Sequence, residues 1–507
     1  MADTPGLVYL VGAGPGDPGL LTIRGLECLR KADLIIYDRL VSPSLLHAAR
    51  ADAARICVNE LASRHADRWP IINERMIAAA RSGSIVVRLK GGDPAIFAHL
   101  AEETAALRSA GVAYEIVPGV TAALGAAAYS EIPLTHRDIA SAVAFVTGHE
   151  NPGKSDSLVD WAGFARFPGT LVLYMSMARI DNIVESLLKG GKEASTPAIV
   201  IQNSTRGDEV EVRTTLSELS DKVKQAGLDA PCVIIVGPVV DLKPTLSWSQ
   251  KRPLAGTRVL VPRPIEQGLL LARRLEELGA IPLIAPAIVV APPADWGPVD
   301  RAIEQLTQFE WIVFTSANGV HAFIERLGHT NHDLRALGKS RLATIGPATA
   351  AALASYRLRA DLVPGEFVSE ALAAELLNQV RGGRVLLVRA EQGRDVLRET
   401  LAKVAEVKQV AVYRQTENPD LAGILAACWN DRPPDFVLLT SSNIARALLR
   451  ALTPEQMETI RLGQVRLITI SGVTTATVRE LGLPVAGEAQ PYTTEAMLAK
   501  AISLRAE

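Results

Sequence analysis

The stretch from Leu7 to Gly25, LVYLVGAGPGDPGLLTIRG, decides the fold. An apolar run that reads as a buried strand meets a knot of glycine and proline, and a helix-like stretch follows. Strand, turn and helix in that order open an α/β unit on a parallel sheet. Three glycines, Gly12, Gly14 and Gly16, suggest a dinucleotide-binding turn, but the G-x-G-x-x-G fingerprint needs its third glycine where this chain has Asp17. A pyrophosphate also needs free backbone N–H groups and no competing anion. Pro15 removes a donor, Asp17 adds a charge, and the next helix starts only at Thr22, a good N-cap. Asp38, closing LIIYD, could still mimic a ribose-binding acid. A dinucleotide turn is disfavoured; a plain tight turn and a turn for another small molecule stay open.

Outward from that turn, DLIIYD, SIVVRLKG and AYEIVPG read as further buried parallel strands, with helical stretches such as AIFAHLAEETAALRSAG between them. In RLKGGDPAIF, Gly91 and Gly92 precede Asp93 and Pro94, a good N-cap and first helical residue. The paired glycines leave bare backbone that a ligand can approach. Thr121 then caps a helix made almost wholly of small residues. After PCVIIVGPVV the chain turns polar and proline-punctuated from Asp241 to Gly256, which reads as a linker between two halves.

At 507 residues the chain needs three or four ordinary domains. Its 48% hydrophobic and 21% charged residues describe a globular protein, and a net charge of −2 provides for neither nucleic acid nor an anionic membrane surface. No apolar run approaches the roughly 20 residues of a membrane span. MADTPG lacks the features of a signal peptide, and four scattered cysteines fit a reducing compartment, so the expected location is the cytoplasm. The eight histidines form no H-E-x-x-H and have no cysteine partners at ligand spacing, so no metal site is expected.

The second half contains an internal repeat. FTSANGV from Phe314 matches LTSSNIA from Leu439, TIGPATA from Thr344 matches TISGVTT from Thr469, and VSEALAAEL from Val368 matches TTEAMLAKA from Thr493, each 125 residues on. RVLVPR from Arg258 matches RVLLVR from Arg384 at 126. The half is therefore two copies of one α/β unit, one inserted in the other. PLIAPAIVVAPPAD and AVYRQTENPD read as the two connections of a double hinge, which leaves a cleft between the lobes. The expected boundaries are 1–240 for the first half, with sub-domains of about 6–120 and 121–240. A linker over 241–256 precedes the second half at 257–507. Lobe 1 covers about 257–290 plus 417–507, and lobe 2 about 295–412.

VGAGPGDPGLLT, YDRLVS, RLKGGDP, VPGVTAA, IPLTHRD and VTGHE, in that order from about Leu7 to Val240, resemble the tetrapyrrole methylase family, and within it the uroporphyrinogen-III C-methyltransferases. The resemblance implies two α/β domains with S-adenosylmethionine between them, usually in a homodimer. By position, it implies cofactor contacts at Pro15, Gly91, Gly92, Asp93, Ile96, Thr121, Ala122 and Met175, and at Ser204, where the family commonly has glycine. Methyl transfer from a sulfonium to a ring carbon is mostly a matter of alignment, followed by loss of a proton from the macrocycle. Asp38 matches the family's proposed general base; read alone, it is a solvated carboxylate at a strand end. Arg39 and Arg137 are candidates for the substrate carboxylates, beside Arg24 and Lys90.

Two stretches depart from the family. VNELAS puts Glu60 where the family has the lysine thought to donate a proton, and FAHLAEE replaces F-G-R-G-G-E-E, losing an arginine. Either Arg64, His65 and Arg68 substitute, or the acid step is dispensable, or activity is reduced.

FTSANGV, TIGPATA and VYRQ, with the bilobed repeat, resemble the uroporphyrinogen-III synthases over about Gly256 to Ala506. That family closes linear hydroxymethylbilane and inverts its last ring. Hydroxyls and backbone N–H groups at helix starts suit a substrate with eight carboxylates. The resemblance places such contacts at Thr315, Ser316, Asn318, Gly346, Thr349, Ser441, Ser442 and Thr474, and Tyr413 at the tyrosine implicated in releasing the hydroxyl group. Arg263 and Arg389, equivalent in the two repeats, either hold carboxylates or brace the hinge. The product of the second half is the substrate of the first, so the combination implies the route from hydroxymethylbilane to precorrin-2, towards sirohaem and corrinoids. The alternatives are an active synthase with a silent or re-targeted methylase, or a tetrapyrrole-binding protein.

Overall fold

The structure, a computed structural model, describes residues 6–50, 52–61, 65–149, 158–392, 395–430 and 432–506, with the backbone alone at residues 60 and 65–68. The first sheet contains β1 (Leu7–Gly12), β2 (Leu34–Tyr37), β3 (Ala54–Cys57), β4 (Ile85–Lys90) and β5 (Ala113–Val117). Its order is β3-β2-β4-β1-β5, all parallel. The core strands are buried on both faces, with Val8, Leu10, Val11, Val86, Val87 and Leu89 fully so, as expected for a parallel sheet covered by helices. Arg88 and Lys90 lie on the same face of β4, two residues apart, where that face runs out of apolar neighbours.

The second sheet contains β6 (Val143–Thr147), β7 (Thr170–Tyr174), β8 (Pro197–Gln202), β9 (Val210–Thr215) and β10 (Cys232–Val236). It is mixed, in the order β6-β7-β10-β8-β9, with only β6 and β7 parallel. The small-residue helix Ala122–Tyr129 packs on it through Ala123 and Ala126, against Val172 and Ile199.

The second half has two lobes, one on an all-parallel sheet and the other on a sheet that is parallel except at one edge strand. One has β11 (Arg258–Val261), β12 (Ile281–Ile284), β18 (Phe436–Leu439), β19 (Arg466–Thr469) and β20 (Gly487–Glu488), in the order β12-β11-β18-β19-β20. The other has β13 (Ile288–Ala291), β14 (Trp311–Phe314), β15 (Arg341–Thr344), β16 (Arg384–Ala390) and β17 (Glu406–Glu417), in the order β13-β17-β16-β14-β15. Strand β13, expected in lobe 1, pairs antiparallel with the end of β17 and so belongs to the second lobe's sheet. The two connections between lobes thus run side by side as a hydrogen-bonded ribbon.

The polar segment expected as a linker is fastened down. The Trp248 indole donates to the Ala128 carbonyl at 3.0 Å, and the Ser249 hydroxyl to the Tyr129 carbonyl at 2.9 Å. The Arg252 guanidinium stacks over the rings of Trp248 and Tyr129 at 4.6 and 5.3 Å. Gly207, on the first half, sits so close to the second that a Cβ would meet Ile281 and the Ala280 carbonyl within 3 Å.

Candidate functional site

The carboxyl ends of β1 and β4 face the second domain across a cavity of about 560 Å³. Its wall includes Pro15 from the first turn, Gly91, Gly92, Asp93 and Ile96 after β4, Thr121 and Ala122 at the small-residue helix, Met175 after β7 and Ser204 after β8. All nine residues assigned to cofactor contacts by resemblance therefore border one space, and Asp38 borders it too.

The glycines serve turn-on-turn packing. Gly14 and Gly92 exchange backbone hydrogen bonds at 3.2 and 2.8 Å, and both have left-handed φ, +79° and +71°. A Cβ on Gly12 would lie 2.6 Å from the Gly119 backbone, so three loops meet backbone to backbone. Gly125 is likewise forced, because a Cβ there would lie 2.5 Å from the Pro15 ring.

Asp93 does not cap a helix. Its carboxylate accepts from the Ala95 N–H at 2.7 Å and from the Gly119 N–H at 2.9 Å, tying the second turn to the third. The helix begins only at Leu100, after His99. Thr121 occupies the N-cap position, but its hydroxyl lies 2.7 Å from the Tyr174 hydroxyl, which also accepts from the Ala123 N–H at 2.9 Å. Burial raises the Tyr174 phenol above its ordinary value.

Sequence reasoning missed Tyr174, Phe97, Trp69 and Asn203, which also line the cavity. Tyr174 at a strand end and Trp69 in a helix read as core, and Phe97 and Asn203 lie in turns, so no local signal marked them. Five non-glycine residues at or beside the cavity have left-handed backbone: Phe97, His99, Met175, Asn203 and Thr205, with φ of 53°, 55°, 51°, 51° and 71°. Such conformations cost about 1–3 kcal/mol each and cluster where a ligand site fixes the chain.

Asp38 accepts from the Arg88 guanidinium at 2.6 Å. Beside it a smaller cavity of about 270 Å³ is lined by Arg39, Leu40, Asn59, Trp69 and Pro231. Arg39 is exposed at this mouth; Arg137 is exposed on the turn after the small-residue helix and borders neither cavity. Arg24 is engaged with Glu115 and Glu27 on the surface. The side chains of Glu60, Arg64, His65 and Arg68 lie outside the described residues. Among the described residues no cluster could hold a metal ion, and no helix is long and apolar enough to cross a membrane.

In the second half the assigned residues gather at strand ends and helix starts. Ser316 and Ser441 cap their helices, accepting from Gly319 N at 3.0 Å and Ile444 N at 3.2 Å, directly after β14 and β18. Thr315 precedes the first cap and Asn318 follows it. Gly346 is the N-cap of Pro347–Ser355, with Thr349 buried one turn in. Thr474 lies 3.3 Å from the hydroxyl of Ser471, the cap of Gly472–Glu480, and Ser442 accepts from Thr477 at 2.9 Å. Tyr413, on β17, is 3.0 Å from the Ser316 hydroxyl; burial raises its phenol, with Ser316 and Arg389 acting against that. Arg389 pairs with Asp395 at 3.2 Å. Arg263 has no carboxylate partner among the described residues and reaches only Gln267 at 2.8 Å and Thr494 at 3.5 Å. Gln267 in turn extends to Asn318 of the other lobe at 3.5 Å.

Comparison with known proteins matches residues 7–220 to the family described as Tetrapyrrole (Corrin/Porphyrin) Methylases and residues 270–499 to the family described as Uroporphyrinogen-III synthase HemD. A relative from Ruminiclostridium josui, "Porphyrin biosynthesis protein HemD", is 36% identical over 76% of this chain and 76% of its own. A relative from Bacillus subtilis, "Uroporphyrinogen-III C-methyltransferase", is 40% identical over 66% of this chain and 68% of its own. A solved Thermus thermophilus uroporphyrin-III C-methyl transferase, complexed with S-adenyl homocysteine, is 35% identical over 46% of this chain and 99% of its own, with a TM-score of 0.40.

Proposed function

This chain belongs to the family that joins a tetrapyrrole methylase to a uroporphyrinogen-III synthase, and from that premise we propose that it converts hydroxymethylbilane to uroporphyrinogen III and then to precorrin-2. The observation that carries the reading is the convergence of nine dispersed residues and Asp38 on one cavity. Its lining fits S-adenosylmethionine: bare backbone at Gly91 and Gly92, the Thr121 hydroxyl, and the Phe97 and Tyr174 rings. The bound donor supplies an electrophilic methyl group.

The protein's part in methylation is alignment and proton removal. The turns hold the donor while the macrocycle enters over Asp38, Arg39 and Trp69. Held by these turns, the donor would give its methyl group to the ring carbon, the electron pair of the C–S bond staying on sulfur. Asp38 then takes the proton that the macrocycle loses, and the C–H pair returns to the ring system. Each of the two methylations releases one proton.

In the second half the helix starts at Ser316, Gly346, Ser441 and Ser471 receive substrate carboxylates. Tyr413, kept protonated by burial, gives its proton to the departing hydroxyl as the C–O bond breaks, releasing water. Arg263 takes a carboxylate across the cleft. The reading includes a cytoplasmic homodimer, supported by the four free cysteines and by exposed Ile23 and Leu124 on the first half.

Purified protein is given freshly generated hydroxymethylbilane with and without S-adenosylmethionine, and products are followed by mass and isomer. The type III macrocycle in both, with two added methyl groups only with the donor, is expected. The macrocycle without methyl gain would leave the synthase alone standing, with a silent first half.

A further inference from the structure

Four charged groups are locked together behind the cavity. Arg88 is fully buried in the middle of the first sheet, and its guanidinium donates to Asp38 at 2.6 Å and to Glu103 at 3.1 Å. Glu103, equally buried on the helix Leu100–Ser109, also accepts from the Lys90 ammonium at 2.6 Å. Lys90 is 1% exposed, borders the cavity and stands 5.8 Å from the Trp69 ring. Two cations and two anions therefore form a neutral chain, Asp38–Arg88–Glu103–Lys90, of which only Asp38 is appreciably open, at 29%.

Burying such a set costs several kcal/mol per ion unless every charge is paired. A purely structural role is served more cheaply by apolar side chains, since Arg88 and Lys90 continue the face of β4 that Val8, Leu10 and Val86 fill with hydrocarbon. What the charges do that hydrocarbon cannot is hold one carboxylate in a fixed direction. The Arg88 guanidinium is planar and further pinned by the carbonyls of Ile36 and Leu89 at 3.4 and 3.2 Å. Its Nη2 donates to Asp38 and its Nε to Glu103.

We propose that Arg88, Glu103 and Lys90 are positioning residues that orient the Asp38 carboxylate at the cavity and tune its strength as a base through their charge balance. The proposal rests on Asp38 being the base of the methyl-transfer reading. Glu103 divides the attraction of Arg88, so its charge strengthens Asp38 as a base; Lys90 offsets Glu103, so its charge weakens Asp38. Among the described residues, the other acidic, basic and histidine side chains that border the two cavities are Arg39 at the mouth and Asp93, His99, His149 and Arg206 around the main cavity.

Glu103 and Lys90 therefore act on Asp38 with opposite sign. The test measures methylation of supplied uroporphyrinogen III against pH in the full chain. Glu103→Gln is expected to move the rising limb of kcat/KM to lower pH and to lower the plateau; Lys90→Met is expected to move it to higher pH, each by roughly half a unit or more. S-adenosylhomocysteine binding by calorimetry confirms a folded first half, and ring closure by the second half reports the amount of active chain. Where Lys90→Met loses that binding, Lys90→Gln takes its place, and the near-isosteric Glu103→Gln decides the sign by itself. Limbs that coincide with the unaltered protein's, or that both move the same way, overturn the clamp. Asp38→Asn separates the two readings: if it keeps the methylation rate, the base itself is misassigned, whereas if it loses the rate while the other variants keep the original limb, only the clamp fails.

Discussion

The Tyr129 hydroxyl donates to the Asp17 carboxylate at 2.5 Å, across 112 residues of sequence. That bond fixes the glycine turn of the first half to the helix on which the segment between halves is fastened. Asp17 also accepts from Gly19 N at 2.7 Å, and its own N–H donates to the Thr205 hydroxyl at 3.0 Å. Burial and Asp17 together push the Tyr129 phenol up to about 12, so it stays a donor throughout the working range. On its outer face the Tyr129 ring meets Trp248 at 4.8 Å. The turn that borders the cavity is thus continuous, through one tyrosine, with the strap leading to the second half.

Trp248→Ala removes the outer half of that stack. We expect KM for S-adenosylmethionine to rise several-fold and the melting temperature to fall, at a cost of about 1–2 kcal/mol. Ring closure is expected to continue at the unaltered rate. Steady-state kinetics of both activities on one preparation check this; equal losses in both would mean that the strap holds the whole chain together, not the turn.

Arg263 and Arg389 occupy equivalent places in the repeat but differ in environment. Arg389 has Asp395, whereas Arg263 has neutral partners only among the described residues, and burial lowers its guanidinium below the ordinary value. A buried cation without an anion gains by receiving one, and a substrate carboxylate supplies it. Arg263→Ala is expected to raise KM for hydroxymethylbilane at least tenfold, with Arg263→Lys in between. Arg389→Ala is expected to act mainly on stability. Bilane-consumption kinetics beside thermal melts of the same variants distinguish the two.

The repeat, the strand ends and the cap at Thr22 were legible because each is written in a few adjacent residues; Thr22 accepts from Gly25 N at 3.1 Å as its position demands. Asp93 misled because its sequence neighbours fit a helix start while its real acceptor role is to Gly119, 26 residues on. Thr121 likewise spends its hydroxyl on Tyr174, 53 residues away. Partners at that range leave no periodicity to read. The strap reads as a linker, and polarity and proline say nothing about where its single Trp248 docks. Phe97 and Met175 line the cavity from left-handed backbone that their residue types do not announce.

Tyr413 and Ser316 share a hydrogen bond at 3.0 Å at the lobe boundary. Tyr413→Phe keeps the ring's packing and removes the proton, so kcat for ring closure is expected to fall by roughly 10²–10⁴, the range for a positioned acid. Ser316→Ala, which removes both a helix cap and the tyrosine's partner, is expected to lower kcat less while costing about 1 kcal/mol of stability. Methylation of supplied uroporphyrinogen III is expected to stay intact in both. Quenched-flow product analysis with and without supplied macrocycle reads the difference.

Two carboxyl groups at the junction of the halves titrate far above their usual range. Burial raises Glu209 to about 7, with Glu211 adding to it, against the Thr205 N–H that donates to Glu209 at 2.8 Å. Burial and then Asp17 raise Glu276 to about 7, with Ser44 acting against them. Below the ordinary glutamate value of 4.5, folded and unfolded chains both hold the protons, so neither group alters stability with pH. Between 4.5 and about 7 the folded chain keeps protons that the unfolded chain has released, so stability falls as pH rises; above about 7 both states have lost them and the loss levels off. For Glu209 the loss is on the order of 2 kcal/mol after allowance for partial exposure. Glu209→Gln stays neutral and can still accept from Thr205. It is therefore expected to melt level with the unaltered protein at pH 5 and above it at pH 8. Glu276→Gln is expected to do the same while leaving S-adenosylmethionine affinity unchanged, because Glu276 faces the first half from outside the cavity. Melting curves across pH 5–8 check both, and a variant that melts lower than the unaltered protein at pH 8 would show that the ionised carboxylate is held by partners rather than merely tolerated.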